Sequence, residues 1–373
     1  MKLAFCLYNY FPFGGLQRDF LRIAKECVKR GHQVDVYTMV WDDDLDPELS
    51  VTMLPQKACQ NHTRSQQFVK ALQPYLREHH YDLVVGFNKM PGLDVYYAAD
   101  TCVQEKTRQK HGAWYRWLPR YHHLLAYEQA VFERSSTTEI LMISATEQAV
   151  FEKFYHTQPA RFHLLPPGIA RDRIAPFNAE QIRQELRAEF KLADDTFLLL
   201  AVGSGFKAKG LDRSLLAIAA LPTALKQRTK LIIIGKDNQT IFQQQANRLG
   251  ITDQVTFLQG RNDVPRFLLG ADLLLHPAYH ENTGTVLLEA LTAGLPVLTT
   301  DVCGYAHYID QAQAGKVLKS PYQQTDFNQT LVDMLLLPER KIWQQNGISF
   351  AKQADIYSMP ERAVDKIESF KKC

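Results

Sequence analysis

Apolar and polar positions along the chain switch repeatedly between two periods. Leu3–Leu7 is a short apolar run. After Gly14-Gly15, the residues Leu16, Phe20, Ile23, Ala24, Cys27 and Val28 recur at helical spacing; Gly31 ends that stretch, and 33–38 alternates as a strand. This is one βαβ unit with a glycine pair at its strand-to-helix turn. Further strands are expected at 83–87, 95–99, 140–143 and 162–165. Ser144 and Glu147 have capping-box spacing at the start of the next helix. Pro166-Pro167-Gly168 then breaks the chain, and the first domain is expected to close there.

The pattern restarts beyond the break. A strand at 197–202, a loop at 203–210 and a helix at 211–221 are followed by strands at 231–234, 255–258, 273–276 and 296–299, with helices between them. Two helices close the chain, at roughly 340–353 and 360–371. Strands alternating with helices define an α/β chain with two Rossmann-like domains. Domain one is expected over 1–168 and domain two over 169–355, with a terminal helix at about 356–373 returning to the first.

Composition narrows the partners. The chain has 373 residues, which suits two domains. A formal net charge of +3 excludes a global nucleic-acid footprint, so charge matters only in local clusters. The six cysteines form no CxxC pair, which argues against zinc and redox motifs. The N-terminal apolar run breaks at Tyr8-Asn9-Tyr10, short of a signal peptide, and no stretch is long enough to span a bilayer. A cytoplasmic protein is expected.

Two strand-to-helix loops of the second half carry candidate chemistry. The segment from His276 to Glu289 leads from a strand into a helix starting near Gly284. A helix N-terminus presents unpaired N–H groups, and glycine there lets an anion approach closely. Glu281 precedes that helix and Glu289 lies one to two turns inside it, placed to accept hydrogen bonds from sugar hydroxyls. The plain alternative is a βα loop with two surface glutamates. The loop at 203–210 adds Lys207 and Lys209, cations suited to a diphosphate. Arg173, just past the break, is a third candidate cation.

The Glu281-x7-Glu289 pair, the loop VGSGFKAKG with Lys209, and Gly14-Gly15 resemble retaining glycosyltransferases of family 4, which have the GT-B fold. The blocks FCLYNYFPFGGLQRDF, VVGFNKMPGLDVYYAAD, LLPPGI, GRNDV, LLLHPAY and AGLPVLTTDVCGYAHYI are similar to those of glucosyltransferases acting on inner-core heptose of lipopolysaccharide. The resemblance implies two Rossmann-like domains with a cleft between them and UDP-glucose as donor. It assigns Glu289 to the ribose, Lys209 to the diphosphate, and Gly284, Thr285 and Val286 to the phosphates through their backbone. Glu281, with Asn282 and Thr283 beside it, falls to the glucose. Arg261 falls near the uracil, Arg173 among the donor cations, and Gly15 beside the donor phosphate. Two departures stand out. Ser204 follows Gly203 where relatives carry Arg, and Ala208 precedes Lys209. Lys207 is the candidate replacement cation.

The same resemblance implies transfer without a protein nucleophile, the leaving diphosphate taking the acceptor proton. No cofactor and no metal are expected; Asp42-Asp43-Asp44 reads as a solvated loop. Asp100, after the strand at 95–99, and Asp19, just after the glycine pair, are candidates for orienting the acceptor. Helix N-terminal charge is the competing reading of Asp19. Finally, Lys106, Arg108, Lys110, Arg116 and Arg120 interleave with Trp114, Tyr115 and Trp117. That composition fits an anionic membrane surface, expected at the inner face of the inner membrane where a lipid-anchored core acceptor would lie. Single-stranded nucleic acid is the weaker fit, and a core helix with a basic face is the plain alternative. Other enzymes of the same fold remain open: a different UDP-sugar or acceptor, or a UDP-GlcNAc 2-epimerase-like reaction.

Overall fold

The computed structural model describes residues 1–12, 14–110 and 113–371, without the side chains of Gln109, Lys110 and Ala113. The chain divides into two compact units, one made of Met1–Gly168 and Ser358–Cys373, the other of Ile169–Tyr357.

The first unit contains β1 (Lys2–Cys6), β2 (Asn9–Tyr10), β3 (Gln33–Thr38), β4 (Val40–Trp41), β5 (Ser50–Met53), β6 (Leu83–Gly86), β7 (Val95–Ala98), β8 (Glu139–Met142) and β9 (Phe162–Leu164). Seven of these form one sheet in the order β5-β3-β1-β6-β7-β8-β9, all pairs parallel. Helices cover both faces, so the central strands are buried on both sides and read as unbroken apolar runs. Leu3 and Phe5 face one core with Phe20 and Ile23 of the helix Gly15–Lys29. Ala4 and Cys6 face the other, with Phe68, Phe132 and Phe151. The terminal helix Met359–Ser369 packs on this unit through Met359, Ala363, Val364 and Ile367.

The second unit contains β10 (Phe197–Val202), β11 (Thr229–Ile234), β12 (Val255–Leu258), β13 (Leu273–His276), β14 (Val297–Thr300) and β15 (Gly315–Leu318). Their order is β12-β11-β10-β13-β14-β15, again all parallel. Succession along the chain reverses direction between β10 and β13. In an open parallel sheet that reversal opens a crevice at the carboxyl ends of the strands, where ligands bind.

Several expectations need correction. The strand expected at 95–99 stops at Ala98, so Asp100 sits exposed in the turn before the helix Val103–Lys110. The capping box at Ser144 is half formed. Ser144 accepts from the Glu147 N–H, but the Glu147 carboxylate caps the Cys102 N–H at 3.1 Å. The strand placed at 296–299 begins one residue later, because Pro296 has no N–H for the ladder. The strands Ser50–Met53 and Gly315–Leu318 lie at sheet edges, and half-buried edges carry weaker patterns.

Candidate functional site

Three neighbouring strands of the second unit, β10, β13 and β14, send their following loops to one place. The β10 loop is held by buried Phe206, whose N–H donates to Asp237 at 2.7 Å. The β13 loop is tied to it by Tyr279 N–H donating to the Ala208 carbonyl at 2.9 Å. On its other flank the β13 loop pairs with the β14 loop through a parallel bridge between Glu281 and Cys303, and Tyr305 N–H donates to the Thr283 carbonyl at 2.7 Å. Gly304 makes that approach feasible, since a Cβ there would lie 2.0 Å from the Asn282 carbonyl oxygen.

Lys209 and Glu281 meet across this junction. The Lys209 ammonium donates to the Glu281 carboxylate, and His276 Nε2 stands 3.7 Å from the same oxygen. Burial of Glu281 works against its charge. The adjoining His276 and the Lys209 cation outweigh it and hold the carboxyl down at about 2. Burial also works against protonation of His276, yet Cys303 and Glu281 beside it raise its pKa. The three side chains form a compact charged group at the point where strand order reverses.

The helix Thr285–Ala293 starts there. Gly284 caps it with φ +80°, a left-handed conformation that suits glycine. The Thr285 and Val286 N–H groups precede the first bond of the helix, Leu287 N–H to the Gly284 carbonyl. Glu289 is the fifth residue of the helix and is buried, so the alternative of two surface glutamates does not hold. Arg173 Nε lies 3.8 Å from its carboxylate, and the Arg173 side chain is only 14% exposed. Among the described residues Arg173 Nε and Nη1 are buried atoms with no hydrogen-bond partner, which leaves a half-buried cation beside Glu289 with donors in hand.

Other candidates are committed differently. Lys207 pairs with Asp212 at 2.6 Å and lies 4.6 Å from the Tyr279 ring centroid. Its charge is shared with that cluster. The Ser204 hydroxyl accepts from the Lys236 N–H at 3.2 Å. Arg261 forks onto Asp263 through Nε and Nη2 with two contacts of 2.7 Å. Asn282 and Thr283 form the strip laid on the β14 loop. Among the described residues no group of three or more His, Cys, Asp and Glu could hold a metal ion.

In the first unit Gly15 begins the helix Gly15–Lys29 and is exposed. Asp19 is the fifth residue of that helix, beyond its first turn, so helix-end charge does not explain it. Tyr97 of β7 donates its hydroxyl to the Asp19 carboxylate at 2.8 Å. Asp100 lines a cavity formed elsewhere in the unit. Trp114 and Trp117 are 64% and 84% exposed, and Lys106, Arg108, Arg116 and Arg120 are exposed. The Lys110 side chain lies outside the described residues. The next helix, Pro119–Phe132, buries Tyr121, His123, Glu128, Val131 and Phe132. The plain reading of a core helix therefore applies to that later part alone. Among the described residues no helix is long and apolar enough to cross a membrane.

His276 is the one member of the group with no place among the sequence candidates; a histidine closing a parallel strand is the signal that marks it. Lys89 and Glu128, a buried ion pair, carry no local signal at all.

Doubly wound parallel sheets with a charged group at a switch point define a protein with a ligand crevice at the strand ends, and comparison gives the class. The family described as Glycosyl transferases group 1 matches residues 182–350, and Glycosyltransferase Family 4 matches residues 13–173. The protein is a glycosyltransferase with the GT-B fold. It is 48% identical over 368 residues to the lipopolysaccharide glucosyltransferase WaaG of Escherichia coli (strain K12), covering 98% of each chain. A crystal structure of WaaG, described as a glycosyltransferase involved in lipopolysaccharide biosynthesis, superposes with a TM-score of 0.93 at 47% identity, covering 98% of this chain and 99% of that one. Anabaena HepE, solved in complex with UDP-glucose, shares the fold at 18% identity and a TM-score of 0.78, over 99% of this chain and 100% of its own. The chain belongs to the WaaG family of lipopolysaccharide glucosyltransferases.

Proposed function

We propose that the protein moves α-glucose from UDP-glucose to an inner-core heptose of lipopolysaccharide with retention of configuration, releasing UDP. The observation that carries this reading is the Lys209–Glu281–His276 group beside the Gly284 helix start. Lys209 and the N–H groups of Thr285 and Val286 suit the diphosphate, Glu281 the glucose, and Glu289 with Arg173 the ribose. Stabilising charge on the departing diphosphate is the main service such a group offers. The C1–O bond to UDP breaks as the acceptor oxygen bonds C1 on the same face, and the acceptor proton passes to the diphosphate. No step needs a metal.

The acceptor is lipid-anchored, so the reading includes peripheral binding to an anionic inner-membrane surface. Exposed Trp114, Arg116 and Trp117 support it.

The test is incubation with UDP-glucose, UDP-galactose or UDP-GlcNAc and a heptose-terminated core lipid, followed by mass spectrometry and anomeric NMR. One α-linked hexose from UDP-glucose, unaffected by chelator, is expected. Preference for another donor, a β-linkage, or UDP release with epimerised sugar and no acceptor would each overturn the reading.

A further inference from the structure

The strand order of the first unit also reverses, between β1 and β6. A cavity of about 480 Å³ opens there. Tyr8 after β1, Asn88 and Lys89 after β6, and Asp100 after β7 line one side, which is where an open parallel sheet places ligands. The helices Asn61–His79 and Pro119–Phe132 and Lys106 also contribute to the lining. A second depression of about 370 Å³ shares Asn61, His62 and Arg120 with it, so the two adjoin as one groove.

The chemistry of the lining is specific. Lys89 is neutralised by buried Glu128 and the Thr101 carbonyl. Lys106 and Arg120 have no ion pair among the described residues, and Asp100 is the one carboxylate among the described lining residues. His123 is 6% exposed, and its Nδ1 is buried without a hydrogen-bond partner among those residues. Burial and neighbouring His62 hold the His123 pKa down at about 4, so the imidazole is neutral and can donate or accept. An orphaned buried polar atom on a wall that also carries two unpaired cations asks for a polar, anionic occupant. Trp114, Arg116 and Trp117 are absent from this lining and exposed. The basic aromatic segment therefore divides into side chains that line the cavity and side chains that stand outside it.

We propose that the groove seats an anionic sugar of the acceptor, its oxyanion paired with Lys106 and Arg120 and its hydroxyls with Asn61, Asn88 and His123. This rests on the reading of the acceptor as a lipopolysaccharide core. Asp100 then orients a hydroxyl at the strand ends, and Lys106 and Arg120 read the acceptor rather than the lipid surface.

The test uses the full chain and a deacylated core oligosaccharide, which removes the lipid contribution. Lys106→Gln/Arg120→Gln is expected to raise the acceptor KM and the calorimetric Kd about ten-fold or more, with kcat within a few-fold. Added salt should weaken acceptor binding to the parent and change the variant little. Carboxyl-reduced and phosphatase-treated oligosaccharides identify the anion. The one lacking it should bind parent and variant alike. Equal acceptor affinity in parent and variant, or a loss seen only with lipid-bearing acceptor on vesicles, would overturn the proposal. Oligosaccharide binding that depends on Lys106 and Arg120, without any glucose transfer, would instead overturn the function proposed above and leave the groove assignment standing.

Discussion

Replacing Glu281 by glutamine keeps the shape of the side chain and removes its charge. The Glu281 carboxyl is held at about 2 against an ordinary 4.5, and its side chain is 15% exposed, so little solvent screening applies. That gap corresponds to about 3 kcal/mol favouring the ionised, folded form. Because the folded value lies below the unfolded one, the stabilisation is complete above the unfolded value and drains away as pH falls towards the folded one. Relative to about pH 6, the parent loses about 1 kcal/mol through this group by about pH 4 and about 2 kcal/mol by about pH 3. His276 is shifted the opposite way, above 6.5, so it does not titrate in this acid window. The amide of Glu281→Gln can still accept from Lys209, so the net cost near neutral pH is about 2 kcal/mol. Urea titrations of both proteins across this range, with amide exchange in the helix Thr285–Ala293, measure the difference. A parent-minus-variant gap that stays flat between about pH 6 and about pH 3 would refute the assignment of the charged group.

Gly304→Ala should leave the fold intact and weaken UDP binding about ten-fold or more, because a Cβ 2.0 Å from the Asn282 carbonyl pushes the β13 loop off its partner; calorimetry with UDP reads it. Glu128→Ala should destabilise the first unit by about 3–5 kcal/mol, since it strands the Lys89 ammonium in the core and uncaps Val103; thermal unfolding by circular dichroism checks this. Trp114→Ala/Arg116→Gln/Trp117→Ala should reduce flotation with anionic vesicles in a salt-dependent way while leaving transfer to deacylated oligosaccharide near the parent rate.

The sequence pattern reported the interior strands well, because parallel strands buried on both faces are continuous apolar runs. Leu273–His276 and Val255–Leu258 match residue for residue. Edge strands and polar helices left weaker traces. Asn61–His79 carries Pro74 and long polar stretches and buries only Phe68, Val69 and Leu72, so its apolar period is faint. The family resemblance agreed with the fold and class, whereas the finer roles of single residues rest on contacts between segments far apart in the chain.

Those contacts explain why similar residues part company. Lys207 and Lys209 stand two apart in one loop and look interchangeable. The turn at Gly205–Gly210 sends Lys207 outwards to Asp212 and Tyr279, and Lys209 inwards to Glu281, 72 residues away. Glu281 and Glu289 likewise read as one acid pair. One sits with a lysine and a histidine at strand ends, the other with an arginine brought from the turn at 171–173. Each carboxylate thus has a cation from a different loop, Glu281 in the loop before the helix and Glu289 inside its second turn. Asp19 fits the same logic in the first unit. Its carboxylate, on the helix Gly15–Lys29, accepts from the Tyr97 hydroxyl of β7, 78 residues away. Tyr97→Phe should therefore lower turnover several-fold while leaving the pH profile unchanged, whereas a proton-transfer role for Asp19 would shift the acid limb of that profile.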